Sequence, residues 1–337
     1  MLETEKYAEW MKQEVEPFLK KHGQSGFMWS RDGTAIHYKL YRLEKAPKCV
    51  VISHGFSEFA EKYNELIYTF MQMGYSVYIP EHRGHGYSER AVKDMELVHV
   101  QNYKKYVEDF VQFVECVVAP VEKHRILFAH SMGGTIAGLT IEQYPYLFEA
   151  AIFSAPMCGI RTGRLSYWEA RILAGFYCMI GKGKSYAAAA GQGRFQENPD
   201  FPGSSCMSEA RYRYVFEKRR ADKHYRTNGS SYGWVYAGLR ACGKFMKKKN
   251  LARIDIPVLL FAAGNDHMVK NEDIRRFVTG TRKTKFVFMQ EAKHEIFNGN
   301  DETCRKFYNE IRYFLEGEEE KEHEDENEQI GKILGVI

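Results

Sequence analysis

A strand, a sharp turn and a helix follow one another between His124 and Thr140, and no other stretch narrows the fold as much. Ile126, Leu127, Phe128 and Ala129 form a short apolar run, and His130-Ser131-Met132-Gly133-Gly134 makes the turn. Ile136, Leu139, Thr140 and Tyr144 then recur at helical spacing. A serine between strand and helix is the pattern of a nucleophile elbow, usually Gly-x-Ser-x-Gly and here Ala129-His130-Ser131-Met132-Gly133. Geometry explains the residue types. The serine adopts a strained backbone that lifts its hydroxyl above the sheet edge, and its neighbours are small because strand and helix backbones pass close together. Alanine at the first position adds only a methyl. A serine that merely caps a helix start is the competing reading of the same residues, so the rest of the chain must decide.

Around this turn the pattern alternates. Lys48–Ser53, Tyr75–Pro80, Ala150–Pro156, Pro257–Gly264 and Thr284–Met289 are short apolar runs of the kind buried in a parallel sheet. Gly26–Arg31 and Thr34–Arg42, joined at Asp32-Gly33, read as a hairpin. Helical spacing marks residues 3–22, the face Tyr63, Leu66, Ile67, Phe70 and Met73, and the segment Val100–Val118. This alternation predicts an α/β fold with a mostly parallel central sheet and helices on both faces.

The sheet pattern stops between Pro156 and Asp255 and gives way to helical segments at about Ser208–Lys223 and Tyr232–Lys249. From Met157 to Asn250 there are eighteen Lys and Arg against six Asp and Glu, a local charge of +12. An insert of this size between the sixth and seventh strands predicts a helical cap. The expected organisation is an N-terminal helical segment (1–25), a core (26–156), the basic cap (157–250), the rest of the core (251–316) and an acidic tail (317–337) that reads as a solvated end.

Several function classes are excluded. No apolar run approaches the roughly 18 residues of a membrane span, and the charged N-terminus MLETEKYAEWMKQEVE has no signal-peptide core. Seven scattered cysteines without a C-x-x-C pair predict reduced thiols and a cytoplasmic protein. His82 and His85 lie in a glycine-rich loop without a third ligand, so neither a metal nor another cofactor is expected. Basic and aromatic residues interleave at Arg211-Tyr212-Arg213-Tyr214, but no nucleic-acid motif accompanies them, and nucleic acid is not an expected partner.

A serine hydroxyl attacks only when a histidine takes its proton, and that histidine needs a carboxylate to hold its tautomer. Open α/β sheets place such groups just past the carboxyl ends of strands. Asp266 follows the run ending at Gly264, and His294 follows the run ending at Met289. With Ser131 they give the chain order serine, acid, histidine. Turn-making is the competing role for Asp266. Asp255 precedes its strand, Asp273 falls within a helix, His267 reads as a loop residue, and His130 is expected to point away from the reacting face. Two backbone N–H groups must also meet the developing oxyanion. Met132, just after the serine, supplies one, and Phe56 in His54-Gly55-Phe56 supplies the other.

The segments HGFSEFAEKY, PEHRGHGYSER, FAHSMGG and QEAKHEI resemble the serine hydrolases of the lysophospholipase L2 and monoacylglycerol lipase group, over about Gly26 to Leu315. The likeness is strongest to the bacterial lysophospholipase branch, where AHSMGG makes Ala129 ordinary. The resemblance implies an α/β-hydrolase fold, a Ser131–Asp266–His294 triad, an oxyanion hole from Phe56 and Met132, and hydrolysis of single-chain acyl lipids through an acyl-serine. It gives Glu58 two readings: a contact to glycerol or a headgroup, or a carboxylate that orders its own loop. Glu81 stands where many relatives have Asp. Short esters and acyl thioesters stay open as substrates, as does a non-catalytic ligand-binding scaffold. The basic cap has two readings as well, a solvated face or a peripheral contact with an acidic membrane surface. Oligomeric state is not readable.

Overall fold

The computed structural model describes residues 2–187 and 193–317. Eight strands form one sheet: β1 (Gly23–Trp29), β2 (Ala35–Tyr41), β3 (Cys49–Ser53), β4 (Ser76–Pro80), β5 (Arg125–His130), β6 (Ala150–Ser154), β7 (Val258–Ala263) and β8 (Thr284–Met289). Their order across the sheet is β1-β2-β4-β3-β5-β6-β7-β8. β2 runs antiparallel to both neighbours, and every other pairing is parallel. This is the mostly parallel sheet that the sequence pattern predicts.

Alternation along the strands builds two cores. Leu127 and Ala129 of β5 join one, and Ile126 and Phe128 join the other. The first packs under α4 (Lys104–Phe113), α5 (Met132–Gln143), α8 (Tyr232–Phe245) and α10 (Asn271–Gly280), through Phe110, Ile136, Phe245 and Phe277. The second packs under α1 (Leu2–Trp10), α2 (Glu16–His22), α3 (Asn64–Gln72) and α11 (Asp301–Glu316), with Phe70 and Phe307 fully buried.

Several elements depart from the sequence expectation. The N-terminal helix is interrupted by a π-helical turn, Met11–Val15, whose two ends are fully buried. The helix expected from Val100 starts at Lys104, because the Asn102 side chain accepts the Lys104 N–H and turns the chain there. It closes with a second π turn, Val114–Val118. The expected Tyr232–Lys249 helix breaks at an extended Lys247 into α8 and α9 (Lys248–Leu251).

Between β6 and β7 lie α6 (Tyr167–Met179), α7 (Glu209–Ala221), α8 and α9. Of these, α6 is unanticipated, although Ser166 and Glu169 form a capping box at its start. The insert is fastened to the core at several points. Arg211 of α7, only 2% exposed, forks onto Glu65 at 2.8 Å and reaches Asp301 at 2.9 Å. Leu97–Val98 pairs in parallel with Gly229–Ser230. The acidic stretch expected from residue 317 lies, from residue 318 onward, outside the described residues. Among the described residues no helix is long and apolar enough to cross a membrane.

Candidate active site

Ser131 joins β5 to α5 with φ +50° and ψ −119°, a left-handed conformation that a side-chain-bearing residue rarely adopts. The fold around it enforces the strain. Its N–H donates to Ser154 O and its carbonyl accepts from Met157 N at 2.8 Å, which clamps the turn to the end of β6. A Cβ on Gly133 would stand 2.0 Å from Ser53 O, and one on Gly134 would stand 2.5 Å from Pro156 Cβ. Only glycine lets α5 start this close to β3 and β6.

Asp266 and His294 arrive from the next two strands. Asp266 Oδ2 lies 2.7 Å from His294 Nδ1, while Asp266 Oδ1 accepts the N–H groups of Met268 and Val269 at 2.7 and 3.0 Å. The turn-making and histidine-holding roles thus coexist on one carboxylate. Burial alone would raise this carboxyl. The His294 ring and the two N–H groups outweigh burial and hold it below the usual carboxylate range. His294 is 4% exposed and Asp266 6%. The His130 ring, one residue before Ser131, lies 4.8 Å from the His294 ring, so His294 stands beside the elbow. No hydrogen bond joins Ser131 to His294; such contacts often tighten only around substrate.

His130 itself is buried, with Nδ1 3.0 Å from Ser154 O and Nε2 3.6 Å from Glu58. Burial lowers it to about 4, so its ring is neutral. His267 contacts Ser205 at 3.3 Å in a loop.

Phe56 N–H and Met132 N–H donate to no other group among the described residues. For Met132 this is the orphan donor at a helix start, where the macrodipole also favours negative charge. The Phe56 ring packs on Trp234 of α8, 4.4 Å between centroids, so the insert closes over this loop. Glu58 is spent on the loop itself. It is 4% exposed, and its carboxylate takes up Gly55 N–H, Tyr63 OH and Lys62, the contacts of the loop-ordering reading. Glu81 is fully buried and gathers Ala60 N–H, Tyr87 N–H and His37.

Sequence reasoning missed Lys62 and Glu295, an ion pair at 2.8 Å whose carboxylate belongs to the residue after His294. The adjacency of Glu295 to His294 was the one available signal. His54, His82 and His85 cluster with ring centroids 4.4 and 5.2 Å apart, and burial pushes all three down. No group of three or more metal-ligating side chains converges among the described residues.

The family described as serine aminopeptidase, S33, matches residues 44–301. A probable lysophospholipase L2 of Haemophilus influenzae is 25% identical over 304 residues, covering 90% of this chain and 95% of that protein. Lysophospholipase L2 of Escherichia coli K12 is 29% identical over 283 residues, covering 84% and 80%. Among solved structures, a soluble variant of monoglyceride lipase from Saccharomyces cerevisiae, in complex with a substrate analogue, superposes with TM-score 0.68 at 16% identity. That match covers 88% of this chain and 96% of the yeast chain, and it carries the fold.

Proposed function

The chain belongs to the S33 serine aminopeptidase family and is a serine hydrolase, and on that premise we propose that Ser131 is its nucleophile, His294 its general base and Asp266 the carboxylate that holds His294. The observation that carries this reading is the strained Ser131 elbow beside a buried Asp266–His294 hydrogen bond. Asp266 accepts a hydrogen bond from Nδ1–H, which leaves Nε2 free to take the Ser131 proton as Oγ attacks the acyl carbon. Phe56 N–H and Met132 N–H receive the oxyanion. His294 returns the proton to the departing alcohol, and an acyl-serine results. A water activated by the same histidine then hydrolyses it.

The substrate class we infer is a lipid ester with a single acyl chain, of the lysophospholipid or monoacylglycerol type. The relatives named lysophospholipase L2 extend over most of both chains. Residues 157–250 act as a cap, with the Phe56–Trp234 contact as its hold on the oxyanion loop. Their basic charge suits an anionic or zwitterionic headgroup and a peripheral contact with an acidic membrane surface. The seven unpaired cysteines fit a cytoplasmic setting.

A fluorophosphonate probe tests the assignment. The wild type is labelled and hydrolyses a chromogenic ester, and Ser131→Ala loses both, activity falling by several orders of magnitude. Labelling or turnover retained by Ser131→Ala would remove Ser131 from the mechanism. An unlabelled wild type would favour a ligand-binding scaffold.

A further inference from the structure

Helix α6 has two faces. Ala170 and Ala174 are buried, Tyr177 stacks on Tyr232 of α8 at 3.9 Å, and a Cβ on Gly175 would meet the Tyr236 ring at 3.0 Å. The other face carries Trp168, Ile172, Phe176 and Met179, continued by Ile180, each between 46% and 77% exposed. Five of the twelve large exposed hydrophobics among the described residues therefore sit on one helix and the residue after it. Scattered apolar residues are ordinary on a surface, whereas a contiguous ridge marks a contact.

Trp168 is also on the rim of a groove of about 1580 Å³ between α6, α8 and α9 on one side and α4, α5 and α10 on the other. Nine Lys and Arg line it against a single carboxylate, Asp273. Lys104, Lys105 and Arg276 are ion-paired. Arg171, Arg240, Lys244, Lys247, Lys248 and Lys270 have no carboxylate within 4.0 Å among the described residues. None of the six is in a described ion pair, although Arg171 and Arg240 lie over the Trp168 and Tyr236 rings. None of Ser131, Asp266, His294, Phe56 and Met132 lines the groove, so it is separate from the catalytic centre.

We propose that this face is a second lipid site, at which an anionic phospholipid bilayer takes the α6 ridge into its headgroup boundary while phosphate headgroups enter the basic groove. The proposal rests on the reading above that the substrate is an acyl lipid, and it assigns the membrane contact to named residues. A soluble anion would neutralise the groove but leave the ridge in water. A second copy of the chain would bring two basic faces together. A bilayer with anionic headgroups satisfies both features, as it does for amphipathic helices flanked by cations.

Co-sedimentation of the full chain with vesicles tests it, using phosphatidylcholine alone and an equal mixture of phosphatidylcholine and phosphatidylglycerol. Binding is expected to the anionic vesicles only and to weaken with salt. Arg240→Glu with Lys244→Glu is expected to weaken it by about fivefold or more for each cation removed. Ile172→Ser with Phe176→Ser is expected to weaken it at least tenfold. Both variants should hydrolyse a soluble short-chain ester at the wild-type rate. Equal binding to both vesicle types, or full binding by either variant pair, would overturn the proposal. Binding that emerges only when the chain ends at Glu316 would give the face to the acidic tail instead. RNA binding without vesicle binding would give it to a nucleic acid. An active enzyme that ignores vesicles defeats this proposal alone, and an inactive chain that binds them defeats the catalytic reading alone.

Discussion

The ammonium of Lys62 lies 2.8 Å from the carboxylate of Glu295, the residue that follows His294. Its second partner, at 2.7 Å, is Glu58, whose carboxylate also accepts the N–H of Gly55, immediately before Phe56. One cation thus ties the Gly55-Phe56 loop to the His294 loop. Burial disfavours charge on all three groups. Their mutual attraction prevails, holding Lys62 above and both carboxyls below their ordinary ranges.

Replacing Lys62 by Met leaves the buried Glu58 and the partly buried Glu295 carboxylates without their shared cation. Breaking one side of a buried ion pair costs about 3–5 kcal/mol, so urea should unfold Lys62→Met at a clearly lower midpoint. Because the pair spans both loops, kcat should fall further than KM rises. Lys62→Arg, which keeps the charge, should recover part of both. A Lys62→Met enzyme with unchanged kcat would reduce the network to a structural role.

Asp266→Asn separates the two jobs of that carboxylate. The amide oxygen can still accept from Met268 and Val269, so the turn and the melting temperature should change little. The amide nitrogen would then face His294 Nδ1 and favour the wrong tautomer. A loss of roughly 10⁴ in kcat is the expected scale, read by steady-state hydrolysis of a soluble ester. A mild effect would place the acid elsewhere.

What the sequence discloses depends on how local the cause is. The proposed set of Ser131, Asp266 and His294 is legible because each comes just past a strand, and the strand runs can be recognised one at a time. The sheet is legible for the same reason. Lys62 is not, because its meaning depends on Glu295, brought near only when the turn Ala60–Tyr63 and the loop after β8 meet in the folded chain. The partners that give Glu58 its loop-ordering role, Gly55, Tyr63 and Lys62, are visible only in the fold. The groove beside α6 is assembled from six helices, α6 included, and has no sequence signature. Helix α6, by contrast, was readable in principle, since Ser166 and Glu169 announce its start.

Acid should destabilise the fold well above the carboxylate range. His54, His82, His85 and His130 are buried and pushed below their ordinary value of 6.5. Below that value the unfolded chain binds protons that the folded chain refuses, so stability falls as pH drops through about 6.5 and continues to fall toward about 4, where His130 titrates. Thermal melts between about pH 7 and pH 4.5 should show this decline. His130→Gln should flatten part of it, and an identical slope in that variant would count against a neutral buried His130.

Glu142 on α5 sets the opposite slope on the alkaline side. Burial raises its carboxyl to about 8, and the nearby Lys244 and Arg253 only partly offset this. One of its oxygens has no hydrogen-bond partner. Below its ordinary value of 4.5 the group is protonated in both states and costs nothing. Between 4.5 and about 8 the unfolded chain gives up the proton while the folded chain keeps it, so folding loses up to about 1.4 kcal/mol per pH unit. Above about 8 the penalty is complete. Glu142→Gln keeps the shape and removes the charge. Its melting temperature should match the wild type at about pH 4.5, exceed it by a growing margin up to about pH 8, and keep that margin above. A margin that stays constant with pH would mean that Glu142 is already ionised in the folded protein near neutrality.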